Sequence, residues 1–197
     1  MVHKTEAIVL SLQRHSDRAH IVHAYAREGG RLNFMVYGVG GKRKPTAVYN
    51  PLSIIEVTAT MTPNMPPVVK EAQLMYVPQE SRFDMRRQSV SLFIAEMLYR
   101  VLRHPMTDET MYRFVEQYAR EVWEAEDIEN VHLRFLVGFA AALGIGIDEE
   151  TDRKLLIVPH GRKERQKQIL SLCRYFQEHL DDFTEPKSLD VLMELFD

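Results

Sequence analysis

Along the first 80 residues, apolar and polar positions alternate with a period of two in five short segments. This period is typical of strands that bury one face, and the Gly29-Gly30 pair between two of the segments indicates a tight hairpin. Five short strands at this spacing predict a small closed barrel. The predicted strands cover residues 5–11, 19–25, 31–37, 52–60 and 68–75.

After residue 80 the apolar positions recur with the helical period of 3.6. The strongest pattern covers residues 111–123 and has Thr107 ahead of it as a possible N-cap. Further helices are predicted over residues 85–102, over about 128–143 with Gly144 at C′, on the apolar stripe Leu170, Cys173, Phe176 and Leu180, and over 189–196. The last helix is apolar, so we expect either that it docks firmly or that the natural chain continues beyond Asp197.

The two patterns together predict an α+β protein, with a barrel domain over residues 1–80 and an α-helical domain over 81–197. The composition, 45% hydrophobic and 27% charged, is that of an ordinary globular protein. The single cysteine, Cys173, excludes an internal disulfide and a zinc site made of several thiolates. The sequence shows no signal peptide and no apolar run of the roughly 20 residues that span a bilayer, so we expect a cytoplasmic protein.

The charge is unevenly distributed along the chain. Residues 1–80 carry nine Lys or Arg and six acids, whereas the remainder carries 16 and 22. Within the first 45 residues the counts are eight and three. Positive potential should therefore concentrate around the barrel loops, where it would attract a polyanion.

The most basic segment follows the third predicted strand. Gly38, Gly40 and Gly41 lead into Lys42, Arg43 and Lys44. Such a loop can present three cations to phosphates, but a solvated hairpin tip that serves only solubility is an equal alternative. On the preceding strand, alternation puts Phe34 in the core and Tyr37 on the other face, where it either stacks on a base or packs as a barrel tyrosine.

Motifs for covalent chemistry are incomplete. Gly40-Gly41-Lys42 lacks the first glycine and the Ser or Thr of a phosphate loop. His20 and His23 are three apart in a strand and should face opposite ways. Cys173 lies on an apolar helix stripe with no evident base, which favours a core residue. We therefore predict that the protein is not an enzyme and holds no cofactor or metal.

Several segments resemble the bacterial recombination-repair family RecO, in the same order. They are Thr5-Glu-Ala-Ile-Val-Leu10, Ser16-Asp-Arg18 with Ile21-Val22, Arg27-Glu-Gly-Gly-Arg-Leu32, the Gly38–Lys44 loop, and Asn50-Pro-Leu-Ser-Ile-Ile-Glu-Val57. The resemblance is specific over about the first 75 residues and weaker in the helical half.

The resemblance implies an N-terminal five-stranded OB-fold followed by an α-helical domain. It also implies a recombination mediator in DNA repair, located in the cytoplasm with the nucleoid. Such a mediator binds single- and double-stranded DNA, anneals complementary strands, contacts RecR and the C-terminal tail of the single-strand-binding protein (SSB), and helps to load RecA on SSB-coated DNA. Many family members have a four-cysteine zinc site that this chain lacks, so we expect the loop 145–161 to be mobile or to be ordered by packing.

The resemblance also directs the choice of candidate binding residues. Lys42, Arg43 and Lys44 match the family's basic loop and are the first candidates for phosphate contacts. In the helical domain the family binds the SSB tail, and the candidate arginines there are alternatively ordinary exposed side chains. The DNA candidates that join the loop are Arg14, Arg18, Arg31 and Tyr37, and the partner candidates are Arg100, Arg103 and Arg134.

Two other functional classes remain open at this point. An RNA-binding adaptor would use the same barrel and the same basic loop, because OB-folds bind both nucleic acids. Preference for RNA over DNA of equal sequence would identify it. An enzyme is the weaker alternative, and cleavage of nucleic acid with a divalent metal would reveal it.

Overall fold

In a computed structural model, the chain is described over residues 1–40, 46–76, 84–148, 153–159 and 161–196. The first part is a closed barrel of five strands in the order β1-β2-β3-β5-β4. The pairs are antiparallel, except that β3 and β5 run parallel. This is the five-stranded Greek-key barrel of the OB-fold, as expected. The strands are β1 (Val2–Arg14), β2 (Ala19–Ala26), β3 (Gly30–Tyr37), β4 (Ile54–Thr62) and β5 (Met65–Leu74), with a short 3-10 helix (Thr46–Tyr49) before β4.

The interior of the barrel follows the alternation of the strands. Phe34 and Val36 are buried with Val22 of β2 in the barrel core, so the prediction that Phe34 faces inward is confirmed. The hairpin between β2 and β3 is built as predicted, because Gly29 and Gly30 both have positive φ values, of 101° and 61°. Such φ values are strained for most residues that have a Cβ, but not for glycine.

Six helices are described after the barrel. They are α1 (Met85–Val101), α2 (Glu109–Glu124), α3 (Ile128–Ala142), α4 (Arg153–Leu156), α5 (Arg162–His179) and α6 (Ser188–Leu195). The five helices predicted from the apolar period are all present, and α4 is additional. Because residues 77–83 lie outside the described part of the chain, the domain boundary at residue 80 stays a prediction.

The ends of the helices show which residues set them. At α3, the N–H of Gly144 donates to Ala141 and that of Ile145 to Ala140, which is the Schellman arrangement expected for a C′ glycine. The N-cap of α2 is Asp108, whose carboxylate accepts from the Met111 N–H. The predicted cap Thr107 is wrong, because its hydroxyl instead accepts a hydrogen bond from the Gly29 N–H of the barrel.

The helices pack on the outer face of the barrel and share its apolar residues. Ile8 and Tyr25 of the barrel belong to the same buried cluster as the helices, and Tyr25 stacks on Tyr112 of α2 with 6.4 Å between ring centroids. The β2–β3 hairpin docks on the segment between α1 and α2, where the Arg31 N–H donates to His104. The barrel is therefore seated on α1 and α2 along one side.

The last two long helices complete the helical core. Leu189 and Leu192 of α6 are buried, so this apolar helix is docked. On α5, Cys173 and Phe176 are buried as predicted, but Leu170 is 43% exposed, and the prediction that it belongs to the buried stripe is wrong. Ile169 and Leu172 are buried instead, because they share one face of α5 with Cys173 and Phe176 at spacings of three and four residues.

The segment before α5 is held by hydrogen bonds from that helix. The Tyr175 hydroxyl donates to the carbonyls of Ile145 and Gly146. The Gln168 amide donates to those of Leu155 and Ile157. These hydrogen bonds connect the described parts of the loop 145–161 to α5, and whether the loop is mobile or ordered by packing stays a prediction. Residues 149–152 and 160 fall outside the described residues.

No helix in the described part of the chain is long and apolar enough to cross a membrane.

Candidate nucleic-acid interface

One end of the barrel gathers three of the sequence-predicted residues. The turn from β1 to β2 is closed by the N–H groups of His15 and Ser16, which both donate to the Ala19 carbonyl. Ala19 pairs with Tyr37, the last residue of β3, and the Gly38 N–H donates to the Arg18 carbonyl at 3.2 Å. These contacts bring the β1–β2 turn against the start of the basic loop.

Both arginines of this turn are exposed. Arg14, 70% exposed in its side chain, pairs with Asp17, which is itself 92% exposed. An ion pair in full contact with water is weak, so a phosphate can replace Asp17 at little cost. Arg18 lies beside the Gly38 backbone. Arg14 and Arg18 together supply positive charge at the mouth of the loop.

The basic loop itself lies outside the described residues, since Lys42, Arg43 and Lys44 fall within the gap 41–45. Its entrance is described. Gly38 and Gly40 have positive φ values, of 70° and 91°, and a Cβ on Gly38 would meet no atom within 4 Å. The loop therefore leaves the barrel at the end that holds Arg14, Arg18 and Tyr37.

Tyr37 is 51% exposed and begins an open row on the outside of the barrel. Ile21 pairs with Met35, and Met35 pairs with Val68 across the parallel β3–β5 contact. All three are partly exposed, whereas the neighbouring Val22 and Val69 are buried. Paired residues lie side by side on one face of a sheet. Ile21, Met35 and Val68 therefore form an apolar strip, called the outer strip below.

Cations flank the outer strip on both sides. Gln13, paired with Ile21, precedes Arg14 at the end of β1. On the other side, Lys70 lies two residues beyond Val68 and is exposed. Tyr37 lies two residues beyond Met35 in the parallel strand. An apolar surface next to separated cations is the arrangement that binds single strands, since bases stack on the first and phosphates contact the second.

The helices cover the remainder of this outer face. His23, two residues after Ile21, is buried under Tyr99 of α1, with ring centroids 5.0 Å apart. Its Nδ1 lies 2.6 Å from Oδ1 of Asn33 and its Nε2 lies 3.2 Å from Oε1 of Gln13. Burial lowers the pKa of His23, which favours the neutral ring. The outer strip thus ends where the last turn of α1 covers the barrel.

Arg31 is separated from the other DNA candidates by the length of β3. Its guanidinium donates to the carbonyls of Tyr99 and Leu102, at 3.0 and 3.4 Å. Burial lowers the pKa of this side chain. The structure therefore places Arg31 at the junction with α1, and its role in DNA binding stays a prediction.

The three arginines proposed for a protein partner do not converge. Arg100 and Arg103, at the end of α1, hold the segment after α5. Arg100 contacts Glu96 and the Thr184 hydroxyl, and Arg103 donates to the Asp182 carbonyl at 2.9 Å. Arg134 binds Glu121 and Asp127 at 2.8 and 2.9 Å, where α2 meets α3. All three have partners within the chain, and their part in partner binding stays a prediction.

The outer strip was absent from the sequence-based set of candidates. Alternation already put Met35 on the same face as Tyr37, so Met35 could have been predicted from the sequence. Val68 could not have been predicted, because only closure of the barrel brings β5 beside β3. A second omission is the run of cations that starts α5, at residues 162–167, which was visible in the sequence.

The part of the chain that the structure describes contains no cluster of side chains suited to metal binding or to nucleophilic catalysis. No group of three or more His, Cys, Asp or Glu there could hold a metal ion. Cys173 is buried, and burial raises the pKa of its thiol to about 12. A thiol in this state is not a nucleophile at neutral pH.

Comparisons with known proteins agree with this picture. The family model described as "Recombination protein O N terminal" matches residues 1–75, which include the barrel. A DNA repair protein RecO from Phocaeicola vulgatus is 31% identical over 241 aligned positions, which cover the whole of both chains. The chain belongs to the RecO family.

Other members of the RecO family are similar over the same extent. DNA repair proteins RecO from Bacteroides fragilis and Porphyromonas gingivalis are each 26% identical, again over the whole of both chains. The resemblance seen in the first 75 residues thus extends through the helices. Family membership confirms a DNA repair protein with an OB-fold.

Proposed function

We propose that this protein is a recombination mediator without catalytic chemistry. It binds single- and double-stranded DNA, anneals complementary strands, and assists RecA loading on SSB-coated DNA together with RecR. Family membership supports the general role. The observation that carries the DNA-binding step is the barrel end, where an open apolar strip and Tyr37 lie between exposed cations.

The barrel end suits single strands. Bases can stack on Tyr37 and lie along Ile21, Met35 and Val68, while Arg14, Arg18 and Lys70 contact the phosphates. The basic loop at residues 42–44 would add up to three phosphate contacts. Binding of this kind depends steeply on salt, because each contact releases counterions.

The protein partners, RecR and the SSB tail, are proposed on family membership. Arg100, Arg103 and Arg134 are engaged with groups of their own chain, so a tail carboxylate would have to displace Glu96, the Asp182 carbonyl or Glu121. A tail peptide that fails to bind the intact protein would remove the SSB part of the proposal.

Annealing of complementary labelled oligonucleotides coated with the cognate SSB tests the function. The protein should accelerate annealing, and the acceleration should weaken as salt rises. Changing Lys42, Arg43 and Lys44 together to Glu should abolish it, and Arg14→Ala with Arg18→Ala should weaken it. A control with Arg113→Ala and Lys187→Ala removes two exposed helical cations and should behave as the unchanged protein.

Two outcomes would contradict the proposal. Absence of acceleration by the folded protein would leave a family member without a mediator activity. Tighter binding to RNA than to DNA of equal sequence would favour the RNA-binding adaptor, which would use the same barrel end.

A further inference from the structure

A second basic surface lies on α4 and the first turns of α5. Between residues 153 and 167 the chain carries six Lys or Arg and one acid, Glu164. This contrasts with the acidic charge of the helical half as a whole. The exposed cations in this stretch are Arg153, Lys154, Arg162, Lys163 and Lys167. These five define the α4–α5 surface.

The cations of this surface differ from those of the other helices in their pairing. On α1 to α3, six arginines form ion pairs with carboxylates. On the α4–α5 surface, Arg153, Lys154, Lys163 and Lys167 have no carboxylate partner among the described residues. Exposed cations with no carboxylate partner in this described part of the chain can offer their charge to a ligand.

Hydrogen bonds hold the two helices of this surface together. Gln168 of α5 donates to the carbonyls of Leu155 and Ile157, at 2.7 and 2.9 Å, and so fixes α4 alongside α5. Arg153 and Lys154 consequently lie next to the first turns of α5. Lys163 and Lys167 are one helical turn apart and share a face.

The α4–α5 surface is remote from the barrel end. Helices α1 and α2 contact the barrel, and α5 packs behind them on α3, where Phe176 stacks on Phe139 at 5.9 Å between centroids. Two helix layers thus intervene, which at 8–10 Å per layer amounts to about 20 Å. A single strand of four nucleotides is about 14 Å long at 3.4 Å per nucleotide, so one bound at the barrel end cannot reach both surfaces.

We propose that the α4–α5 surface binds the phosphate backbone of a second nucleic-acid strand while the barrel end holds the first. This inference rests on the proposed function. Two complementary strands repel each other through their phosphates, and two separate cationic surfaces on one molecule would offset that repulsion. They would also raise the local concentration of each strand for the other. Repeated exposed cations fit a polyanion with regularly spaced charges.

The test compares three double variants of the full chain. Lys163→Ala with Lys167→Ala changes the α4–α5 surface, Arg14→Ala with Arg18→Ala changes the barrel end, and Arg113→Ala with Lys187→Ala is the matched control. Each loses two exposed cations. The measurements are the stoichiometry for a non-complementary single strand of four nucleotides, the salt dependence of the affinity for a longer strand, and the annealing rate.

We expect two short strands per molecule of the unchanged protein and one per molecule of the α4–α5 variant. For the α4–α5 variant with a long strand, the slope of log affinity against log salt concentration should become shallower by about 1.4, which is about 0.7 for each lost phosphate contact. Annealing should slow about tenfold or more, whereas the control should match the unchanged protein.

Unaltered stoichiometry and annealing in the α4–α5 variant would overturn the second-strand inference and leave the barrel-end proposal intact, provided that the barrel variant is impaired. An effect of the α4–α5 variant alone would overturn both, since only one surface would then bind DNA. Binding of an acidic peptide but not of DNA at Lys163 and Lys167 would identify a protein surface instead and would also overturn the inference.

Discussion

The guanidinium of Arg31 lies over the ring of Tyr99, 4.0 Å from its centroid. This contact joins the start of β3 to the last turn of α1. The same guanidinium donates to the Tyr99 and Leu102 carbonyls. These carbonyls belong to the end of a helix, where cations are favoured by the helix dipole. Arg31 is thus a residue of the junction between barrel and helices.

Arg31→Ala should lower the free energy of unfolding by about 2 kcal/mol, because it removes a cation–π contact and two hydrogen bonds at a half-buried site. Urea unfolding measures this. Arg18→Ala is the matched comparison, since Arg18 is exposed at the other end of β3. It should change stability by less than about 0.5 kcal/mol but weaken DNA binding. The opposite result would return Arg31 to the DNA interface.

Gly30→Ala should destabilise the docking of the β2–β3 hairpin. A Cβ there would lie 2.3 Å from the Met106 carbonyl oxygen, and the φ value is 61°. We expect a loss of about 2 kcal/mol or more in thermal or urea unfolding.

Gly38→Ala separates the two causes of that loss. Gly38 also has a positive φ, of 70°, but nothing lies within 4 Å of its Cβ position. It should therefore show only the cost of backbone strain, about 1 kcal/mol. Equal losses at Gly30 and Gly38 would show that contact with Met106 contributes nothing.

His132 should make stability fall in mild acid. Burial, with smaller effects from Arg165 and Arg134, lowers its pKa from 6.5 to about 3. Below pH 6.5 the His132 side chain binds a proton in the unfolded chain but not in the folded chain. The free energy of unfolding therefore declines between pH 6.5 and 3 and is unaffected by His132 above pH 6.5. From pH 7.5 to 5.0 the loss should be about 2 kcal/mol.

His132→Phe should remove this part of the pH dependence while keeping the ring contacts with Phe93 and Phe196. Urea unfolding at the two pH values measures the difference. His15→Gln serves as the control, because His15 is exposed, and it should retain the full acid loss. An unchanged pH dependence in His132→Phe would assign the loss to other groups.

Cys173 should react with a thiol reagent only after unfolding. It is 1% exposed on α5, and burial raises the pKa of its thiol to about 12. Colour development with a disulfide reagent at pH 8 should be slower by a hundredfold or more in the folded protein than in urea, since thiolate and access are both lacking. Rapid reaction of the folded protein would mean that α5 opens readily.

Local patterns predicted most of the fold. The five strands and five of the helices follow from periods of 2 and 3.6, and Gly29, Gly30 and Gly144 from the need for positive φ. The predictions for individual residues were wrong where contacts with distant parts of the chain decide the position of a side chain. Thr107 bonds to the barrel, so Asp108 caps α2. Leu170 follows the helical period but faces solvent, because the neighbours of α5 decide which face is buried.

The candidate site divides in the same way. Tyr37 and the cations of the first turn could be named from alternation and charge alone. The sequence could not reveal that Arg31, on the same face of β3 as Tyr37, is covered by α1, because that depends on how the helices sit on the barrel. Nor could it pair Val68 with Met35, since a parallel contact has no turn to announce it.

The sequence by itself determined the strands, the long helices, the exclusion of a zinc site made of several thiolates and the membership of the RecO family, because these depend on neighbouring residues or on composition. Only the tertiary structure decided which of the exposed-looking cations remain open. Arg31, Arg100 and Arg134 look like Arg14, Arg18 and Lys163 in the sequence. In the folded chain, each of the first three residues has partners far along the chain or on another helix. A charge that is already paired interacts less strongly with a ligand.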